Sequence, residues 1–107
     1  MSEEPQTSDG TEIAASHRVT IEYCPRCGWL LRAAWLAQEL LTTFHGRLRE
    51  VGLRPAGKAV FRICVDDAQV WSRVQDGGFP AAAELKRRVR DIVAPGLDLG
   101  HTEQSGG

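Results

Sequence analysis

The chain has 107 residues, 42% hydrophobic and 25% charged, which suits one globular domain with one core and excludes a disordered, collagenous or two-domain chain. Its 13 Lys and Arg stand against 14 Asp and Glu, a net charge of −1, far from the basic footprint of a nucleic-acid binder. Three cysteines are the wrong parity for a disulfide scaffold, and no run approaches the roughly 18–20 apolar residues of a membrane span.

Residues 1–16 contain Glu3, Glu4, Asp9 and Glu12 and neither Lys nor Arg. They carry no basic segment followed by an apolar one, so no secretion signal and a cytoplasmic location are expected. Their polarity predicts a disordered acidic tail, and GHTEQSGG predicts a second, flexible tail over residues 100–107. The folded domain is expected over residues 17–99. Without the four tail acids, 13 basic groups face 10 acidic ones.

Within that domain HRVTIEY, residues 17–23, alternates with Val19, Ile21 and Tyr23 on one face, which predicts a strand. From Gly28 the period changes to that of a helix. Leu30, Ala33, Ala34, Ala37, Leu40, Leu41 and Phe44 form one stripe, and Gly46 is the expected C-cap. Residues 47–53 predict a short strand and residues 54–57 a turn. Residues 58–65 alternate with Phe61, Ile63 and Val65 inward, and Asp66-Asp67 closes a hairpin onto a strand over residues 69–74. After a glycine loop, Pro80 is expected in the first turn of a second helix. Its stripe is Ala82, Leu85, Val89 and Ile92, and Pro95-Gly96 stops it.

The order βαβββα predicts an α/β (α+β) two-layer fold. Its sheet is mixed and four-stranded, with the first two strands parallel through a helical crossover and both helices on one face. Cys24 and Cys27 fall between the first strand and the first helix, where a CxxC reads as a thioredoxin-like redox motif. Cys24 is expected at or just before the helix N-terminus and Cys27 in its first turn. The free amides, the helix dipole and the neighbouring Arg26 would there favour thiolate over thiol. A thiolate attacks a disulfide, and a second thiol one turn away resolves the mixed disulfide. The rival readings are two inert thiols or a zinc site. Zinc would need further ligands, and Cys64, His17, His45 and His101 offer no paired metal spacing. No cofactor and no metal are expected.

YCPRCGWLLRAAWLAQELLTTF, VFRICVDDAQVWSR, and DGGFPAAAELKRRVRDIVAP followed by DLGH, together spanning residues 18–101, resemble the Rdx family of thioredoxin-like proteins. That family includes selenoproteins W, T and H and their bacterial relatives. The resemblance implies a thioredoxin-like fold and a thiol-disulfide redox role, linked to glutathione or thioredoxin. Selenoprotein members carry selenocysteine at the position of Cys27, which makes Cys27 the attacking atom; the thioredoxin parallel makes it Cys24. Thioredoxins also place a cis-proline before the strand facing the pair, whereas GKAVFRIC has no proline and Pro55 is separated from it by the 56–58 turn.

Trp29, Trp35 and Leu36 lie off the first helical stripe, and Phe79-Pro80 is expected near the thiols. Either they pack internally, or Arg26, Trp29, Phe79 and Pro80 form a surface for a substrate or partner protein. Lys86, Arg87, Arg88 and Arg90 are expected on a solvated helix face. Two functions follow. One is a monomeric dithiol protein whose partners are proteins or small thiols, with no nucleic acid and no membrane. The other is a non-catalytic adaptor binding a client through Trp29 and Trp35.

Overall fold

The alternating stretches pair into one sheet in the computed structural model, which describes residues 16–100. The expected tails lie outside these residues apart from Ser16 and Gly100. The chain order is β1 (His17–Tyr23), α1 (Leu30–Thr43), β2 (Leu48–Pro55), β3 (Phe61–Val65), β4 (Ala68–Ser72), the one-turn helix α2 (Arg73–Asp76) and α3 (Ala82–Val93). The sheet order is β2-β1-β3-β4. β1 runs parallel to β2 and antiparallel to β3, which pairs antiparallel with β4.

Period-2 alternation gives the sheet one apolar face. Val19, Ile21 and Tyr23 of β1, Phe61, Ile63 and Val65 of β3, and Trp71 of β4 are buried there. They form one core with Ala33, Leu36, Ala37 and Leu40 of α1 and Leu85 and Val89 of α3. Both long helices therefore cover the same face, as the sequence predicts. The other face is charged and open. Arg18 reaches Glu50 at 2.8 Å, and Glu22 accepts from Arg54 at 3.0 Å and from Arg62 at 2.9 Å.

Several local expectations shift. In α1, Leu36 replaces Leu30 and Leu41 on the buried face, and those two are exposed, because the buried stripe is the narrower set Ala33, Leu36, Ala37, Leu40. The helix caps at Phe44, whose N–H donates to Leu40 O. Gly46, at φ +82°, instead turns the chain into β2. β2 continues through Arg54 and Pro55, β3 starts at Phe61 rather than residue 58, and residues 56–60 form the loop between them. β4 stops at Ser72 because polar side chains close a helical turn there. The Ser72 hydroxyl accepts from Gln75 N at 3.4 Å, and the Asp76 carboxylate accepts from Ser72 N at 2.9 Å. Pro80 is buried two residues before Ala82, where α3 begins, not within its first turn. In the β3–β4 hairpin Asp66 has φ +54°. It is held by His17 Nδ1 at 2.8 Å, by Arg18 N at 3.1 Å and by its own N–H to Arg18 O at 2.8 Å.

The basic face of α3 is not solvated as expected, because its cations meet acids and carbonyls of other elements. Lys86 is buried and donates to Glu39 of α1 at 2.8 Å. Arg88 bonds Glu84, Asp76 and Val70 O and lies 4.5 Å over the Trp71 ring. Glu39→Ala, which strands a buried ammonium, is expected to cost about 1–3 kcal/mol in urea unfolding. Lys86→Met, which keeps the volume and removes the charge, is expected to cost less than about 1.5 kcal/mol.

Three carboxylates are held below their ordinary values. The His17 hydrogen bond acts most on Asp66, the Ser72 amide on Asp76, and the Arg87 guanidinium followed by that of Arg88 on Glu84. A depressed folded-state pKa contributes stability that is complete above the ordinary values, 3.8 for Asp and 4.5 for Glu, and is lost as pH falls through the depressed ones. The urea midpoint is therefore expected to stay level from neutrality to about pH 5 and to fall below that. A midpoint that rose on acidification would contradict the assignment.

Candidate redox site

β1 ends at Tyr23, and the next residue, Cys24, is only 1% exposed. The chain then turns over residues 25–28, closed by Gly28 N donating to Pro25 O at 3.1 Å. Gly28 sits at φ +76°, and a Cβ there would meet nothing within 4 Å, so its backbone angle, not space, calls for glycine. The turn brings Cys27 back over Cys24 with their Cα atoms 5.4 Å apart and their sulfurs joined as a disulfide. That separation lies within the usual disulfide range. Cys27 is exposed where Cys24 is covered. The expectation that Cys27 lies inside the first helical turn is corrected, since α1 begins only at Leu30. A left-handed Gly28 cannot belong to the helix, so the whole CPRCG segment precedes it.

Residues 56–58 face the cysteines and complete a groove of about 530 Å³ lined by Cys24, Pro25, Arg26, Cys27, Ala56, Gly57 and Lys58. This wall is pinned. Ala56 N donates to Tyr23 O at 2.7 Å, Val60 N to Gly57 O at 3.2 Å, and Arg73 Nε to Ala59 O at 3.2 Å. Ala59 beside this bond sits at φ +61°, a conformation that costs a non-glycine residue energy and persists only where its surroundings hold it.

The predicted aromatic residues gather beside the groove rather than in it. Trp29 and Phe79 meet edge-on with centroids 4.9 Å apart, and Phe61 joins them at 5.1 Å from Phe79 and 6.3 Å from Trp29. Arg32 lies 4.1 Å over Phe79 and Arg73 5.4 Å over Trp29. Phe79 thus ties the loop before α3 to the start of α1. Pro80 is buried and offers no surface, and Trp35, 49% exposed, lies outside the groove and the cluster. Of the expected site residues, Cys24, Cys27 and Arg26 share the groove; Trp29 and Phe79 support its edge.

Sequence reasoning missed Ala56, Gly57 and Lys58. Their signal was the parallel β1–β2 pairing, which brings the end of β2 alongside the end of β1. It also missed Phe61, Arg32 and Arg73 as partners of Trp29 and Phe79. Cys64 is half-buried on β3, facing the open side of the sheet. Among the described residues, no group of three or more His, Cys, Asp and Glu is placed to hold a metal ion. No helix among them is long and apolar enough to cross a membrane.

The sequence profile of the Rdx family matches residues 18–91. Migration and invasion enhancer 1 of Bos taurus is 30% identical over 80 residues, 75% of this chain and 68% of its own length. The Mus musculus protein of the same name is 28% identical over 79 residues, 74% and 67% of the two lengths. A crystal structure of a protein from Bordetella parapertussis is 57% identical, covers 70% of this chain and 95% of that one, and superposes with a TM-score of 0.69. A selenoprotein W-related protein from Vibrio cholerae is 46% identical, covers 73% and 98%, and gives a TM-score of 0.72.

Proposed function

This chain belongs to the Rdx family, and from that premise we propose that it is a thiol–disulfide redox protein in which Cys27 attacks and Cys24 resolves. The observation that carries this reading is the asymmetry of the pair: the sulfurs are within bonding reach, one is exposed in a groove and the other is covered. In the dithiol state the Cys27 thiolate attacks a substrate disulfide, forming a protein–substrate disulfide and expelling one substrate thiolate, which takes up a proton. The Cys24 thiolate then attacks the Cys27 sulfur, closes the Cys24–Cys27 bond and releases the second substrate thiol. Two electrons pass from protein to substrate, and a thiol reductant such as glutathione, or a thioredoxin-type dithiol, returns them. Such a cycle fits a monomer working in the reducing cytoplasm.

The test is turnover. A small amount of the Cys64→Ser protein is expected to speed reduction of a peptide disulfide by glutathione, and the Cys24→Ser/Cys27→Ser protein is expected not to. Equal rates for the two would refute the redox reading. The exposed pair Leu31 and Trp35, one turn apart on α1, favours a second reading as an adaptor. On that reading a client binds the double variant as well as the parent and Trp35→Ala loses it.

A further inference from the structure

We propose that the cysteine groove selects disulfides in acidic peptide segments, with Arg26 and Lys58 as the residues that set this preference. The inference rests on the redox reading above and names its substrate class.

The groove is lined by two cations and no carboxylate. Arg26 lies between the cysteines in the turn, and Lys58 stands on the facing wall. Of the other basic residues, Arg47 and Arg49 also make no side-chain hydrogen bond or ion pair among the described residues, but neither lines the groove; the rest are engaged. On the open sheet face Arg18 pairs with Glu50, and Arg54 and Arg62 with Glu22. On α3, Lys86 pairs with Glu39, and Arg87 and Arg88 with Glu84. Arg73 and Arg32 lie over rings of the aromatic cluster. Arg26 and Lys58 have no hydrogen bond, ion pair or ring partner among the described residues. Two unpaired cations lining the groove that holds the exposed Cys27 make a positive slot, and Cys24, Pro25 and Ala56 of its lining are apolar.

That pattern fits an extended segment whose cysteine meets Cys27 while carboxylates on its flanks reach the two cations. Lys58 is presented by a turn already fixed by three hydrogen bonds to Tyr23, Gly57 and Arg73, so little ordering of the backbone opposes docking. Attraction of this kind acts mainly on encounter and orientation and fades with salt. A preference of roughly 10-fold for an acidic over a neutral segment at low salt is expected from two partly exposed pairs. The cations also favour the Cys27 thiolate and the departing substrate thiolate, but that effect is common to every substrate. The ratio between substrates is therefore the readout of selection.

The experiment uses reduced Cys64→Ser protein in single turnover, which needs no added reductant. Three peptides of equal length carry one cysteine as a 2-thiopyridyl disulfide, a neutral leaving group, flanked by Asp, Asn or Lys. Each release rate is divided by the rate of the same peptide with 2-mercaptoethanol, which cancels intrinsic reactivity. The expected order is Asp, then Asn, then Lys, with the Asp-to-Asn ratio of roughly 10 at low salt falling toward 1 near molar salt. Arg26→Gln and Lys58→Gln are each expected to lower that ratio roughly 3-fold, and the double variant to bring it near 1. A parent ratio near 1 at low salt, or a ratio that survives in the double variant, would overturn the selection while release from the Asn peptide leaves the thiol chemistry standing. No release from any peptide would overturn the redox reading and this inference with it.

Discussion

Cys27→Ser is expected to lower the reaction of the reduced protein with a peptide disulfide by at least on the order of 10²–10³-fold, whereas Cys24→Ser is expected to react and stop at the mixed disulfide. The difference follows from position. Cys27 stands at the outer side of the 25–28 turn in the groove, and Cys24 lies under it at the end of β1, 1% exposed. Cys27 is exposed to an incoming substrate sulfur, whereas Cys24, although it borders the groove, is almost fully covered. Without Cys24 nothing inside the protein releases the trapped substrate. Mass spectrometry of intact protein, with Cys64→Ser as background, reads both outcomes: a peptide adduct on Cys24→Ser and none on Cys27→Ser. The reverse pattern would make Cys24 the attacking thiol. Since Ser at the buried position 24 carries a hydroxyl into an apolar site, circular dichroism of that variant is the folding control.

Phe61→Ala is expected to be the most damaging of the single core truncations near the site, at roughly 3–5 kcal/mol in urea unfolding. Phe61 is fully covered on β3 and contacts both Trp29 and Phe79 edge-on, and each such pair adds about 0.5–1.5 kcal/mol beyond the area it buries. The loss is a large part of the total for a single small domain. The same ring keeps Phe79 against Trp29, so its removal also loosens the start of α1, close in sequence to Cys27. Phe61→Leu is expected to recover most of the stability and less of the Trp29 environment, which fluorescence would follow. A cost below about 1 kcal/mol for Phe61→Ala would show that the cavity collapses and that the cluster is not what holds this end of the sheet.

The layout was legible because its elements carry clear periods. HRVTIEY and the Phe61, Ile63, Val65 alternation gave β1 and β3 their inward faces, and the change of period after Gly28 gave α1. With the CxxC between them, the parallel crossover from β1 to β2 and the place of the cysteines follow. The misplaced details arose where a local bond competes with a period. The QVWSRV stretch reads as a strand through Val74, but the Ser72 and Asp76 side chains capture backbone amides and end the strand. Periodicity could not rank Leu30 and Leu41 below Leu36 on α1, because only the packing against the sheet chooses which edge of a broad apolar stripe is covered. The basic residues of α3 looked solvated because their partners, Glu39, Asp76 and Val70, are distant in sequence. Lys58 was invisible as a site residue for the same reason. It meets the cysteines only once β2 lies parallel to β1 and delivers residues 56–58 beside Cys24.

If the Cys24–Cys27 bond is a working redox couple, its reduction potential must lie where a cellular thiol can both make and break it. Cys64→Ser protein would be equilibrated across glutathione ratios, its thiols trapped, and the dithiol and disulfide forms counted by mass. A single two-electron transition is expected between about −120 and −270 mV, the range of thiol–disulfide oxidoreductases. A potential below about −300 mV, where structural disulfides lie, or a pair that stays dithiol in oxidising buffer, would contradict it.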